Sequence, residues 1–253
     1  MSNTEFSTEY RLRRSTGKSS SYQEFKKGVK KGLPIAFGYL PVSFAFGLIV
    51  VKGGLPVWVA VLISMTNLTS AGQFAGVGLI FAQAAYTEIA ITTFVINLRY
   101  MLMSFSLSQK ISEKMPRLKR GIMAFGITDE TFAMASLEKE EITFPFMMGL
   151  ISCPYWSWAL GTGLGAMLTA YLPVNLQKAM GIALYAMFIA LIVPAAKKSK
   201  AVLLVVIVAV FISSLFKFTP FLKELSTGWV IIIATILASA VGAMFFPRSE
   251  DEI

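Results

Sequence analysis

The chain contains no histidine, one cysteine and few charges: Asp, Glu, Lys and Arg make up 15% of its 253 residues. Each shortage excludes a class of function. Without histidine there is no Ser–His or Cys–His catalytic pair, no imidazole-ligated metal or haem, and no histidine proton relay. Cys153, the lone cysteine, can make neither an internal disulfide nor a thiolate cluster. No GxxxxGK[ST] loop is present, so the chain is not expected to hydrolyse ATP itself. We expect no metal, no cofactor and no enzymatic activity. A soluble domain usually carries about 25% charged residues; a chain with so few cannot cover itself with polar surface. What is abundant is apolar: 55% hydrophobic residues and a mean hydropathy of +0.66. The solvent implied is the lipid bilayer.

Apolar stretches run over 33–51, 56–82, 87–109, 121–137, 143–170, 176–194, 201–217 and 228–247. A spanning helix needs about 20 apolar residues. Six stretches fit; 56–82 is too long and polar at its middle, and 121–137 is short and carries Asp129 and Glu130. The net charge of +9 is distributed unevenly. Sixteen of the 23 basic residues fall in the arm 1–31, the loop 110–120 and the loop 197–200. Basic residues collect on the cytoplasmic side. All three clusters reach that side only if 56–82 enters the membrane and returns as a broken hairpin. The expected protein is therefore all-α and polytopic, in the cell membrane. It has about six spanning helices, two broken or re-entrant segments and both termini cytoplasmic; the alternative is eight spans, which also leaves the C-terminus inside. The arm 1–31 is expected to be disordered, with an amphipathic segment near Tyr22–Lys31 as the alternative for its end, 32–247 to form one transport-type domain, and 248–253 to be a short tail. The charge thus reports orientation in a lipid bilayer, with no nucleic-acid partner. Glu88 is read as interfacial, Lys178, Lys217 and Lys223 as snorkelling, and Tyr155, Trp156 and Trp158 as an interfacial belt.

Polar residues inside apolar stretches are costly and therefore informative. The stretch 64–78 places Asn67, Thr69, Ser70, Gly72 and Gln73 together, a composition that favours a break in the helix. Unwound backbone is tolerated at membrane depth only where protein or water covers it, and half-helix N-termini there attract anionic groups. The alternative is a polar helix-packing face. Arg99 lies near the centre of 87–109, where a lone arginine costs about 2.5–3.5 kcal/mol, so it needs a partner or a wet cavity. Asn97, Tyr100, Ser104 and Ser108 share one face of that helix; Thr92, Arg99 and Ser106 share another. Asp129 and Glu130 are candidate partners of Arg99 or proton carriers if buried, and ordinary surface acids if 121–137 stays outside.

Several short motifs in this order resemble the AzlC family, large subunits of branched-chain amino acid exporters. They are Gly32-Leu33-Pro34, Phe37-Gly38-Tyr39-Leu40-Pro41, Ala71-Gly72-Gln73-Phe74, Asn97-Leu98-Arg99-Tyr100, Thr128-Asp129-Glu130-Thr131-Phe132-Ala133 and Trp158-Ala159-Leu160-Gly161-Thr162. The resemblance covers roughly residues 28–247. Tyr100 stands where the family usually has histidine, and Asn67-Leu68-Thr69-Ser70 replaces a more Ala-rich version. The resemblance implies export of leucine, isoleucine and valine, with methionine a further candidate. It also implies a small hydrophobic AzlD-type partner subunit. On this reading Asn67, Thr69, Ser70, Gln73, Phe74, Asn97 and Arg99 bind substrate. Phe37, Pro41, Phe44 and Tyr100 line its pocket, and Asp129 and Glu130 carry a coupling proton. The competing reading is a channel or permease subunit for another small solute.

Overall fold

The computed structural model describes residues 20–173, 192–219 and 225–247, with isolated positions 175, 176, 179, 182 and 189. Most of the arm 1–31, most of the expected span 176–194, Lys178, Lys223 and the tail 248–253 lie outside the described residues. The described residues form helices and no strand: α1 Ser21–Lys52, α2 Val57–Thr66, α3 Ala71–Phe81, α4 Tyr86–Ser108, α5 Arg117–Phe125, α6 Asp129–Ser136, α7 Phe144–Leu168, α8 Lys200–Phe218 and α9 Thr227–Phe245. Of these, α1, α4, α8 and α9 are long and apolar enough to cross a membrane.

Helix α1 starts ten residues before the expected arm boundary. Ser20 explains this: its hydroxyl accepts from Tyr22 N–H, and its own N–H donates to the Gln23 side chain, a reciprocal cap. The helix stops at Gly54, whose φ of +91° closes the last turn; Gly54 N–H donates to Val51 O and Leu55 N–H to Val50 O.

The chain divides into two compact units, Met1–Phe37 with Met103–Trp156, and Gly38–Leu102 with Ser157–Ile253. The divisions fall inside helices α1, α4 and α7, so no linker marks them in the sequence.

In the first unit, Lys27 Nζ lies 2.7 Å from Glu138, and Lys31 binds the other oxygen of the same carboxylate. Partial burial pushes the Glu138 carboxyl upward, but hydrogen bonds and charge from Lys27 and Lys31 outweigh it and hold it below the ordinary carboxylate range. Lys110 Nζ donates to the carbonyls of Ser136 (2.6 Å) and Glu138 (3.2 Å), and Ile142 N–H donates to Lys110 O (2.8 Å). The start of α1, the end of α4, the end of α6 and the start of α7 therefore meet at one end. Helices α5 and α6 leave from that end and return to it. They form a helical hairpin whose tip, at Gly126, packs on Ile151 within α7. In this unit Gly28 faces the backbone of Phe146 and Leu150, and Gly149 faces that of Phe25, so α1 and α7 run parallel in near contact.

In the second unit the stretch 56–82 is a hairpin as well. Gly53, just after α1, lies against the ring of Phe81, so the chain returns to where it set out. Helices α2 and α3 have 10 and 11 residues. At about 1.5 Å per residue each covers roughly half of a ~30 Å hydrocarbon core. Helix α3 runs back along α4, with Gly72 beside Asn97 and Gly76 beside Thr93. Phe46, Val50, Ala60, Val77 and Ala166 form a buried cluster holding both half-helices to α1 and α7, joined by Phe74, whose ring meets Phe46 edge-on at 5.1 Å. Gly161 and Gly165 meet Leu40, Ser43 and Phe44 backbone or hydroxyl atoms of α1, the close packing their spacing suggests.

Candidate functional site

The tip of the α2–α3 hairpin is residues 67–70, in extended and strained backbone. Ser70 has φ 45° and ψ −88°, close to the rare and strained γ-turn region for a non-glycine residue. It is the N-cap of α3, yet its hydroxyl makes no cap hydrogen bond. The contrast with the other hairpin is informative. There Thr128 caps α6 in full, accepting from Thr131 N–H while its own N–H donates to the Thr131 hydroxyl (2.8 Å). One half-helix N-terminus is closed by its own side chains; the other is left open to a ligand.

Around the open tip the side chains converge. Gly72 makes room: a Cβ there would lie 2.7 Å from Thr69 Oγ1 and 2.8–2.9 Å from the amide atoms of Asn97. Thr69 Oγ1 donates to Asn67 Oδ1 (2.8 Å). Tyr100 hydroxyl donates to Thr69 O (3.1 Å) and accepts from Arg99 Nη2 (2.9 Å), with the guanidinium 4.8 Å from the Tyr100 ring centre. The residue in the usual histidine position thus ties the tip to Arg99. Ser70 Oγ, Gln73 Oε1 and Asn97 Oδ1 are buried without a hydrogen-bond partner among the described residues. Each such atom costs about 1–3 kcal/mol unless something donates to it. Below the tip, Ser64 and Thr162 hydroxyls share a 2.7 Å hydrogen bond and Gln73 Nε2 donates to Ser64 (3.4 Å), a fully buried network between α2, α3 and α7.

The structure brings together Asn67, Thr69, Ser70, Gln73, Asn97, Arg99 and Tyr100 within the second unit. Phe74 packs beneath them on Phe46. Asp129 and Glu130 belong to the first unit, half-buried on the first turn of α6, where the helix dipole favours negative charge. The expected pocket wall differs. Phe37 is 70% exposed and Pro41 is exposed, so neither lies in an enclosed pocket of this chain; Phe44 is half-buried. One further reading is corrected. Trp158 is buried, in edge contact with Tyr39, and so is no belt residue. Glu88, in the first turn of α4, is buried at 7% exposure. Ser64 and Thr162 were not singled out as site residues; the signal was that both are small hydroxyls inside apolar runs.

The family model described as AzlC protein matches residues 34–172, a range that includes both hairpins. The chain is 34% identical over 174 residues to an uncharacterized membrane protein of Archaeoglobus fulgidus, covering 67% of this chain and 75% of that one. It is 27% identical over 241 residues to the inner membrane protein YgaZ of Escherichia coli K12, covering 90% and 94%. A Helicobacter pylori membrane protein is 29% identical over 239 residues, covering 90% and 99%. No solved structure matches. With these relatives all described as membrane proteins, and with the matched region enclosing the open tip and its partners, the chain belongs to the AzlC family of membrane proteins.

Proposed function

We propose that the chain is a secondary transporter that moves branched-chain amino acids, and methionine, out of the cell with a small AzlD-type membrane subunit. Family membership implies a transporter-type role. The observation that carries the finer reading is the open tip of α3. A zwitterionic amino acid needs an anion site and an ammonium site close together. The uncapped N-terminus of α3, with Arg99 beside it, suits the carboxylate. The unpartnered oxygens of Ser70, Gln73 and Asn97 are acceptors that suit the three N–H donors of an ammonium. Tyr100 positions the tip. Asp129 and Glu130 take the coupling proton inward as substrate leaves. Counterflow of labelled leucine in vesicles, with and without the small subunit, tests this. We expect exchange of leucine, isoleucine and valine with the subunit present. No movement of these or of methionine in either preparation overturns the substrate assignment.

A further inference from the structure

A second buried polar site lies in the second unit, at the end of α4 remote from Lys110. Glu88, in the first turn of α4, is buried at 7% exposure. The hydroxyl of Ser226, N-cap of α9, donates to Glu88 Oε1 instead of capping its own helix. Gly228, in the first turn of α9, is packed so closely that a Cβ would overlap Glu88 Oε1 and lie 2.7 Å from Thr92 Oγ1. Thr92 is fully buried, and its hydroxyl, facing Gly228 as well, has no hydrogen-bond partner among the described residues. A carboxylate therefore stands where the cap of α9 would be, with an unsatisfied hydroxyl next to it.

The charge balance of this site is unusual. Helix α3 and helix α9, the apolar neighbours here, contain no titratable side chain at all. Lys217, in the last turn of α8, is exposed and, among the described residues, forms no ion pair with Glu88. Among the described residues the carboxylate's hydrogen-bond partner is the Ser226 hydroxyl, and it lies beside the N-terminal turn of α9. The positive end of that helix disfavours a metal cation, so the cation that suits this site is a proton, which binds the oxygen covalently.

We propose that Glu88 is a proton-binding site: ionised, it holds the N-terminus of α9 in place of a cap, and proton uptake loosens that hold. The proton adds to a Glu88 carboxyl oxygen from the aqueous phase and returns to water on release. Protonation cancels the attraction between carboxylate and helix dipole, and gives the carboxyl an O–H for which Thr92 Oγ1 is the waiting acceptor. Glu88, Thr92 and Arg99 fall within roughly 40° of one another around α4 and span about 16 Å of its length. One face of one helix thus connects the proton site to the open tip. The coupling role, a further proton site in addition to Asp129 and Glu130, rests on the transport reading above; proton binding does not.

Infrared difference spectroscopy of the full-length protein in lipid vesicles, recorded between acidic and neutral buffer, tests proton binding directly. We expect a carboxylic C=O band that disappears in Glu88→Gln and survives in Asp129→Asn. A difference spectrum unchanged in Glu88→Gln overturns the proposal. So does a band that sodium removes at constant acidic pH, which marks a metal-cation site. Should Glu88→Gln fail to accumulate, Ser226→Ala decides: a displaced band supports the proposal, and an unmoved one overturns it. For coupling, Glu88→Gln keeps leucine counterflow within twofold and loses at least tenfold in accumulation driven by a pH gradient; full accumulation overturns the coupling role. A Glu88 band in a protein that moves no amino acid leaves the proton site standing and removes the transport reading. Normal counterflow without the band does the reverse.

Discussion

The replacement Gly72→Ala isolates the open tip from the rest of the fold. A Cβ at this position would lie 2.7 Å from Thr69 Oγ1, 2.8 Å from Asn97 Oδ1 and 2.9 Å from Asn97 Nδ2. All three are ends of side chains, so they shift rather than block folding. Two effects oppose each other in stability. Alanine favours the helix by about 1 kcal/mol, while inserting one methyl into a packed site costs about 1–3 kcal/mol. The net loss is about 0–2 kcal/mol, too small to unfold the protein. The effect on binding is larger, because the methyl displaces the Thr69 and Asn97 side chains that the proposed ligand would meet. Losing two hydrogen bonds at about 1 kcal/mol each reduces affinity roughly thirtyfold. Gly78→Ala is the internal control: it lies in the same helix with nothing within 4 Å, so only the helix gain of about 1 kcal/mol applies. Thermal unfolding in detergent and leucine half-saturation in counterflow are measured on both. The reasoning fails if Gly72→Ala binds as tightly as Gly78→Ala.

Ser70→Gly relieves the positive φ of Ser70 and should stabilise the protein by about 1 kcal/mol, while loss of the Oγ acceptor weakens substrate binding about fivefold; unfolding and counterflow together check both signs. Thr128→Ala removes the cap of α6 and should lower stability by about 1 kcal/mol in the same unfolding assay. Glu138 is held below its ordinary value of 4.5, so its stabilising contribution is complete above that pH and is lost as pH falls below it. Wild type should therefore lose stability on acidification below about pH 4.5, and Glu138→Gln should lack that component; both lysines are substantially solvated, so the effect stays within about 1 kcal/mol. Asp129→Asn should abolish pH-driven efflux with normal expression, and unaltered efflux would return Asp129 to the role of a helix-dipole acid.

Much of this architecture is legible from the residues. The density of Asn67, Thr69, Ser70, Gly72 and Gln73 marks the break, because such residues compete with helical hydrogen bonding and have no lipid-facing role. The basic loop 110–120 requires the return of 56–82, and the contact of Gly53 with Phe81 shows it. Other features depend on three-dimensional partners. Glu88 reads as interfacial because it opens a span; only the approach of Gly228 and Ser226, some 140 residues away, buries it. The stretch 121–137 reads as ambiguous because Thr128 and Thr131 are ordinary residues until their reciprocal hydrogen bonds show that two helices meet there. The exact start of α1 depends on the reciprocal hydrogen bonds of Ser20 and Gln23, which the structure supplies. The division into two units cannot be seen along the chain, since it passes through continuous helices.

The half-depth reach of the α2–α3 hairpin has an electrical consequence. With α2 starting at one face of a ~30 Å core, a tip about 15 Å along it would sit near the middle, and a charge arriving there from that face would cross about half of the membrane voltage. One elementary charge moving through the whole field is worth about 2.3 kcal/mol per 100 mV, and through half of it about 1.2 kcal/mol. A zwitterion with no net charge does almost no electrical work on the same path. Under the proposed transport reading, voltage therefore acts on an accompanying ion and not on a zwitterionic cargo, and a protein of that design reads membrane potential only as strongly as it is coupled to protons.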